Sequence, residues 1–302
     1  MAVSNILDLH KTLVYDRPGN LSTKVVELPT PESVPGEILV RIEHSGVCHS
    51  DLSLQLDAWS FLLEPIKAAQ VGGGHEDVGV VAKIGPSCQH ANIVLGGRVG
   101  IKWIASACGN CASCLSRANR ICEKQKVSGY SCPGTFQEYL VTTANYVTPI
   151  PDGLDSAIAA PLLYGGITVY SAFKKCRAQP GGLGSGSWSR GGLGHLALQL
   201  GGWGMCFRMI GLDMESKEDL IKVCGAETFV DDSRCSPGDD GQTITQEVLT
   251  ATGGKGASAV VVCTASNDTY TQTLGYLKFN GTVVCGGVPG GNPTVIGYTY
   301  PH

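Results

Sequence analysis

The sequence has no excess of basic residues. Lys and Arg number 22 against 26 Asp and Glu, a formal charge of −4, so no positive field exists to hold a nucleic acid or an anionic membrane. Long apolar runs are also missing. The longest, Ala157 to Tyr170, is 14 residues with two glycines inside it, short of the ~20 that a membrane span requires. Met1 to Gly19 carries Asp8 and Asp16 and only a brief apolar stretch, which does not read as a secretory leader. Charged residues are 16% of the chain, yet hydrophobic ones reach 43%, so low charge does not come with disorder. What is abundant is glycine, 41 of 302 residues, in clusters without a Gly-X-Y period. That excludes collagen and points to tight turns and phosphate loops. Cysteine is abundant too, at 13. Without a secretory leader these are expected to be free thiols or metal ligands in a cytoplasmic protein.

The texture divides the chain in two. Over residues 1–154, short β-branched runs recur between Pro and Gly turns: Thr12–Tyr15, Thr23–Leu28, Glu37–His44, Val78–Ile84, Arg98–Ile101 and Glu138–Val141. This predicts a β-rich domain. Over residues 155–302, a helical stretch at 155–176 precedes strands that alternate with helices. The strands are expected at Cys206–Leu212, Thr228–Val230, Ala259–Cys263 and Thr282–Cys285. The helices are expected at Leu193–Leu200, Glu215–Cys224, Ile244–Ala251 and Asp268–Leu277. Such alternation implies a parallel sheet with crossover helices, an α/β fold.

Cys108-Gly-Asn-Cys111-Ala-Ser-Cys114 followed by Cys122 is a C-x2-C-x2-C-x7-C array. Two-residue gaps let neighbouring thiolates converge on one tetrahedral ion, and the longer gap folds the loop back over it. With four thiolates no position stays open, so this zinc is expected to be structural, in a lobe at about 103–127. A second group lies upstream: Cys48-His49-Ser50-Asp51, then Gly74-His75-Glu76. Together these offer thiolate, imidazole and carboxylate, the donor types of an open catalytic zinc.

Gly74-His75-Glu76-x2-Gly79-x5-Gly85-x2-Cys88 resembles the signature of zinc-containing medium-chain alcohol dehydrogenases. The four-cysteine lobe, Gly100-Ile101-Lys102-Trp103, Ser128-Gly129-Tyr130 and Gly134-Thr135-Phe136 are similar to the yeast and fungal tetrameric branch of that family. The resemblance implies a GroES-like catalytic domain at 1–154 and a Rossmann NAD-binding domain at 155–302. It also implies oxidation of alcohols or reduction of aldehydes with NAD. By position, Cys48 and His75 would be catalytic-zinc ligands and Glu76 an alternate or outer ligand. His49 would meet the cofactor pyrophosphate, Ser50 would begin a proton relay, and Trp59 and Trp103 would narrow the pocket for a small alcohol or aldehyde. Gly191-Gly192-Leu193-Gly194 resembles the phosphate turn. Asp213, 19 residues after Gly194, stands where an acid bonds the adenosine ribose and favours NAD over NADP. Lys217, Gly287 and Val288 would complete the cofactor contacts. Such enzymes are homo-oligomers, and the subunit-contact strands and a return segment would follow the point where this sequence ends.

Four departures from the pattern stand out. The family's third catalytic-zinc ligand is a cysteine in the segment that here reads Ala160-Pro161-Leu162-Leu163-Tyr164-Gly165-Gly166, where Tyr164 takes its place. A phenol with a pKa near ~10 is a poorer zinc ligand at neutral pH than a thiol near ~8.5. Ser53 stands where the relay usually ends in histidine. The stretch 181–190, GGLGSGSWSR, replaces the Val/Ile run that a doubly covered parallel strand needs, so the strand before the phosphate turn is expected to be disrupted. Losing three or four buried aliphatics forfeits roughly 5–10 kcal/mol. One hypothesis is a local frame disruption. The codons CAG TGG GTC GTG GTC TCG GGG encode Gln-Trp-Val-Val-Val-Ser-Gly, and read one base later they give Ser185–Arg190. Sequencing the transcript tests it, and an in-frame message with no nearby indel relative to sister genes rejects it. Finally, the chain ends early, which would leave one edge of the sheet incomplete. Two further readings stay open: a non-catalytic relic that keeps only the cysteine lobe, and a zinc-independent quinone or enone reductase. The lobe and the Cys48/His75 pair argue against the latter.

Overall fold

A computed structural model describes residues 6–59, 66–67, 71–187, 191–234 and 242–289. The chain packs into two compact units, Met1–Tyr164 and Gly165–His302.

The first unit is β-rich. Strands β1 (Leu9–Tyr15) and β2 (Thr23–Pro29) form an antiparallel hairpin. A five-stranded antiparallel sheet has the order β8-β3-β4-β5-β9. Its members are β3 (Glu37–Ser45), β4 (Asp77–Ile84), β5 (Arg98–Ile101), β8 (Tyr139–Thr143) and β9 (Thr148–Pro149). A short ribbon pairs β6 (Ile104–Ser106) with β7 (Lys126–Val127). Successive side chains in a strand leave on opposite faces. Ile38 and Val40 accordingly enter a core with Val81, Val99, Ile101 and Leu140. Leu39, between them, packs instead with Ala82 and Tyr139.

Helix α1 (His49–Gln55) follows β3 directly, α2 (Ala112–Leu115) lies within the cysteine lobe, and α3 (Ser156–Pro161) closes the unit. Asp155 caps α3 by accepting from the N–H groups of Ala157 at 2.9 Å and Ile158 at 3.3 Å. The Arg98 guanidinium holds the approach to α3 by donating to the carbonyls of Leu154 and Pro151, each at 2.7 Å. Ala159 and Ala160 then pack on Val78 and Ile150. Leu163 lies so close over Gly100 that a Cβ there would meet its methyl groups. These contacts fix where Tyr164 stands.

The second unit carries a five-stranded, all-parallel sheet in the order β12-β11-β10-β13-β14. Its strands are β10 (Leu183–Ser187), β11 (Arg208–Asp213), β12 (Thr228–Asp231), β13 (Ala257–Val262) and β14 (Leu277–Cys285). Counted from the first of the five, the order is 3-2-1-4-5, with the reversal between β10 and β13 that marks a doubly wound nucleotide-binding sheet. Its helices are α4 (Ile167–Lys175), α5 (Gly192–Gln199), α6 (Glu218–Val223), α7 (Gln242–Ala251) and α8 (Asn267–Gln272). Both faces are covered. Met209, Ala259 and Val261 join Phe173, Leu198 and Ile221 on one side. Ile210, Val260 and Val262 join Val248, Tyr270 and Tyr276 on the other.

The strand expected to be lost from 181–190 is present. Gly184 pairs with Met209 on one side and Ala259 on the other, and the register continues to Ser187. The correction has a simple cause. A parallel ladder is built from backbone N–H and C=O groups, which glycine and serine supply as well as valine does. The remaining elements differ from the sequence boundaries by a few residues. The largest differences are at β14, which begins at Leu277 instead of Thr282, and at the predicted helix Asp268–Leu277, whose α-helical part ends at Gln272 before a 3-10 turn over Thr273–Tyr276; the predicted helix Glu215–Cys224 opens with a 3-10 turn over Glu215–Lys217. Glu218 and Lys222, four apart on α6, form the expected ion pair at 2.6 Å.

The helical stretch Ser156–Lys175 spans 20 residues with mean hydropathy 1.3, longer than the run read from the sequence and long and apolar enough to cross a membrane by those criteria. Some of its apolar side chains have partners in the chain, while Ile158, Leu162, Ile167 and Tyr170 are exposed. Ala159 and Ala160 belong to the core of the first unit, and Val169, Ala172 and Phe173 to that of the second.

Candidate active site

Cys48 is the N-cap of α1, in extended conformation at φ −107° and ψ 149°. Its sulfur accepts from the Ser50 N–H at 3.5 Å, while its own N–H donates to Asp51 Oδ2 at 3.0 Å. This reciprocal capping box fixes the thiol at the end of the helix. Asp51 reaches further. Its Oδ1 accepts from the Gly74 N–H at 2.8 Å and from His75 Nδ1 at 3.1 Å, so one buried carboxylate ties the Cys48 turn to the His75 loop. Gly74 sits at φ +80° against Thr135 and Phe136, a backbone that side chains rarely adopt.

His75 is wholly buried, and its Nε2 makes no hydrogen bond. Burial disfavours its charged form, yet Asp51 and the nearby Cys48 outweigh this and push the imidazole up to about 9. A ring held through Nδ1 by a carboxylate, with Nε2 left bare, is how metal-bound histidines are oriented. Glu76 is buried beside it, its side chain packed over Gly46. The Glu76 N–H and the Thr135 hydroxyl donate to Asp77 Oδ2; burial pushes Asp77 up to about 7.

Tyr164 stands edge-on to His75, ring centroids 4.4 Å apart, and Trp103 approaches the same imidazole at 4.9 Å. Trp59 meets Trp103 at 6.4 Å, and the two belong to an apolar cluster with Tyr15, Leu54 and Ile66. Burial pushes the Tyr164 phenol up to about 12, against the pull of its hydrogen bond with Ser50; Cys48, Glu76 and Asp51 raise it further. The structure therefore brings Cys48, Ser50, His75, Glu76, Trp103 and Tyr164 into one neighbourhood. His49 lies exposed at the start of α1, and its Nδ1 shares a hydrogen bond of 3.2 Å with Ser53 Oγ. Cys48, His75 and Glu76 do not bring their donor atoms as close together as the lobe cysteines do. Asp77 was not named from the sequence, and Asp51 and Thr135 stood there only inside motifs, without the positioning roles seen here. The one signal for Asp51 was its place three residues after Cys48.

In the lobe, the four sulfurs of Cys108, Cys111, Cys114 and Cys122 all lie within 4.8 Å of one another. Cys108 and Cys122 are 3.6 Å apart and Cys108 and Cys114 3.9 Å. A tetrahedron with Zn–S bonds of ~2.3 Å has edges of ~3.8 Å. Backbone N–H groups of Asn110 and Cys111 pull the Cys108 thiol down to about 6, already favouring the thiolate. The donor set and its spacing fit zinc.

In the second unit, Gly191 precedes α5 in extended conformation, and no side chain of the N-cap accepts from the first-turn N–H groups, those of Gly192, Leu193 and Gly194. Asp213 ends β11, fully buried, and its Oδ1 accepts from the Met214 N–H at 2.9 Å. Lys217 closes the 3-10 turn that follows. Beyond β14, Gly287 donates to the Val262 carbonyl at 2.8 Å and accepts from the Tyr270 hydroxyl, with Val288 exposed next to it. A cavity of about 340 Å³ lies at the carboxyl ends of these strands, bordered by Leu212 and Met214.

Residues 34–152 match the alcohol dehydrogenase GroES-like domain, and residues 192–300 match the zinc-binding dehydrogenase domain. Alcohol dehydrogenase 2 of Emericella nidulans is 50% identical over 302 residues, all of this chain and 82% of that protein. The chain belongs to the zinc-containing medium-chain alcohol dehydrogenases. An alcohol dehydrogenase of Schizosaccharomyces pombe is 36% identical over 274 residues, 90% of this chain and 74% of its own length. Among solved structures, the acetophenone reductase from Geotrichum candidum in complex with NAD is 26% identical, with a TM-score of 0.76 over 94% of this chain and 77% of that one. An NAD-dependent alcohol dehydrogenase, 24% identical, shares the fold with a TM-score of 0.80 over 94% of this chain and 80% of its own. Membership in this family makes the chain an oxidoreductase and sets aside the non-catalytic relic.

Proposed function

We propose that this alcohol dehydrogenase transfers a hydride between a small alcohol or aldehyde and NAD at a zinc site built on Cys48 and His75. The observation that carries the reading is His75: wholly buried, held through Nδ1 by Asp51, with Nε2 bare beside the Cys48 thiol. Cys48, His75 and Glu76 would hold the ion, and Tyr164 stands at the chain position where the family has its third ligand, a thiolate. When bound, zinc supplies Lewis-acid polarisation of the alcohol or carbonyl oxygen, and NAD supplies the hydride acceptor. The chain's own groups do the rest. Asp51 accepts from His75 Nδ1 and so directs Nε2 toward the ion, which would displace the proton from Nε2 on binding. Ser50 Oγ, held by Tyr164, hydrogen-bonds the substrate hydroxyl. Ser53, bonded to His49, is the next hydroxyl toward solvent. Trp59 and Trp103 wall the pocket and keep it small.

The four-cysteine lobe would hold a second zinc with a structural role, and a cytoplasmic setting keeps its thiols reduced. In the second unit, the Gly191–Gly194 turn would receive the pyrophosphate and Asp213 the adenosine side, with Lys217, Gly287 and Val288 completing the NAD contacts. The experiment is turnover of short primary alcohols with NAD, followed by nicotinamide absorbance. The reading expects measurable turnover that falls at least a hundredfold in both Cys48→Ser and His75→Ala. Turnover that survives either change would refute it.

A further inference from the structure

We propose that the cysteine lobe is a docking surface for an anionic membrane, with Leu115 and Ile121 entering the headgroup layer and Arg117, Arg120, Lys124 and Lys126 meeting the lipid phosphates. Net charge alone argues the opposite, since the chain totals −4. The distribution of charge reverses that reading for one region. Residues 103–127 hold these four cations against the single carboxylate of Glu123, a local charge of +3, which leaves −7 for the rest. All four cations are exposed, and none forms an ion pair with a described residue. Several other surface cations are engaged: Lys24 by Asp16, Arg208 by Glu227 and Lys222 by Glu218. The apolar residues stand among the free cations. Leu115, at the end of α2, is 73% exposed and Ile121 is 62% exposed. The Ala118 N–H donates to the Ser113 carbonyl at 2.7 Å and the Ile121 N–H to the Ala118 carbonyl at 3.0 Å, so 113–121 is a tight double turn that holds both aliphatics. Arg117, at φ +61°, makes the reversal between them.

Composition selects the occupant. Protein interfaces favour aromatic side chains and are poor in Lys, and single-stranded nucleic acids bind on aromatic platforms. Residues 104–127 contain no aromatic, and two of the four cations are lysines. Aliphatic side chains set among Lys and Arg suit the boundary of an anionic bilayer, where the chains enter the headgroup region and the cations stay at the phosphates. Zinc in the lobe would bring a formal −2 with its four thiolates, which weakens the field of the cations without reversing it. The rest of the chain is repelled by the same lipids. Both effects make the association weak and salt-sensitive, and both make the lobe the part that faces the membrane.

The test is flotation of the full chain with vesicles of phosphatidylcholine alone and with vesicles holding about 30% phosphatidylserine. The expected result is recovery with the anionic vesicles at least about tenfold above the neutral ones, and its loss at about 0.5 M salt. Arg120→Glu/Lys124→Glu and Leu115→Ser/Ile121→Ser should each lower that recovery at least about tenfold. These four side chains are exposed, so thermal midpoint and metal content should match wild type. The comparison of the two vesicles with wild type does not depend on any variant folding. Equal recovery with both vesicles overturns the proposal, as does anionic binding that either folded double variant leaves unchanged. Binding to heparin without vesicle recovery, abolished by the charge reversal and indifferent to the serines, assigns a polyanion surface and overturns it too.

Discussion

Asp51 carries a burden that can be worked out from its partners. Three donors converge on it: the Cys48 N–H at 3.0 Å, the Gly74 N–H at 2.8 Å and His75 Nδ1 at 3.1 Å. The residue is 7% exposed, so water cannot replace a lost acceptor. A buried donor left without a partner costs ~1–3 kcal/mol. Asp51→Ala strands all three, ~3–9 kcal/mol against a typical domain stability of ~5–15, and is expected to unfold the first unit. Asp51→Asn is the informative change. The amide oxygen still accepts, but the NH₂ group faces at least one of the three donors, a cost of about 1–3 kcal/mol that the fold survives. His75 also loses the carboxylate that orients it. Loss of such an outer partner typically lowers metal affinity by ~10–100-fold. Urea unfolding followed by tryptophan fluorescence gives the stability change. Competition with a zinc chelator gives the affinity, with the lobe ion as internal reference. Asp51→Asn with unchanged stability and unchanged affinity at the second ion would refute the reasoning. Equal weakening of both ions would show a global effect instead of a local one.

Cys111→Ser should remove the lobe ion alone, leaving one zinc per chain by mass spectrometry and a lower thermal midpoint, because zinc binding in such lobes is folding energy. Tyr164→Cys should tighten zinc binding at the Cys48/His75 site, and in cobalt-substituted protein it should strengthen the thiolate-to-cobalt charge-transfer band. No change in either counts against Tyr164 standing at the ligand position. Tyr270→Phe takes the hydroxyl donor from the Gly287 carbonyl. At ~1 kcal/mol for a neutral hydrogen bond, the NADH dissociation constant should rise roughly fivefold in a calorimetric titration. A constant equal to that of wild type would show that this turn does not bear on the cofactor.

The parts of this chain that could be read from sequence are those whose geometry is local. Cys108 to Cys122 announce themselves because two-residue gaps bring thiolates together, and the structure has all four sulfurs within 4.8 Å of one another. The strand–helix alternation from Asp155 onward likewise fixes a parallel sheet before any coordinates are seen. Residues 183–187 misled for the opposite reason. Their side chains say nothing of a strand, but the pairing is made by backbone groups and by the neighbours β11 and β13, which are rich in aliphatics. Asp51 was hidden because its importance lies in a contact 23 and 24 residues away, with Gly74 and His75.

The central claim is that Cys48 and His75 gather a reactive zinc separate from the lobe ion. Metal analysis of the purified chain tests it most directly. Two zinc ions per chain, falling to one in Cys48→Ser/His75→Ala while the lobe ion stays, is the predicted result. A single ion in wild type, unchanged by that double substitution, would contradict it.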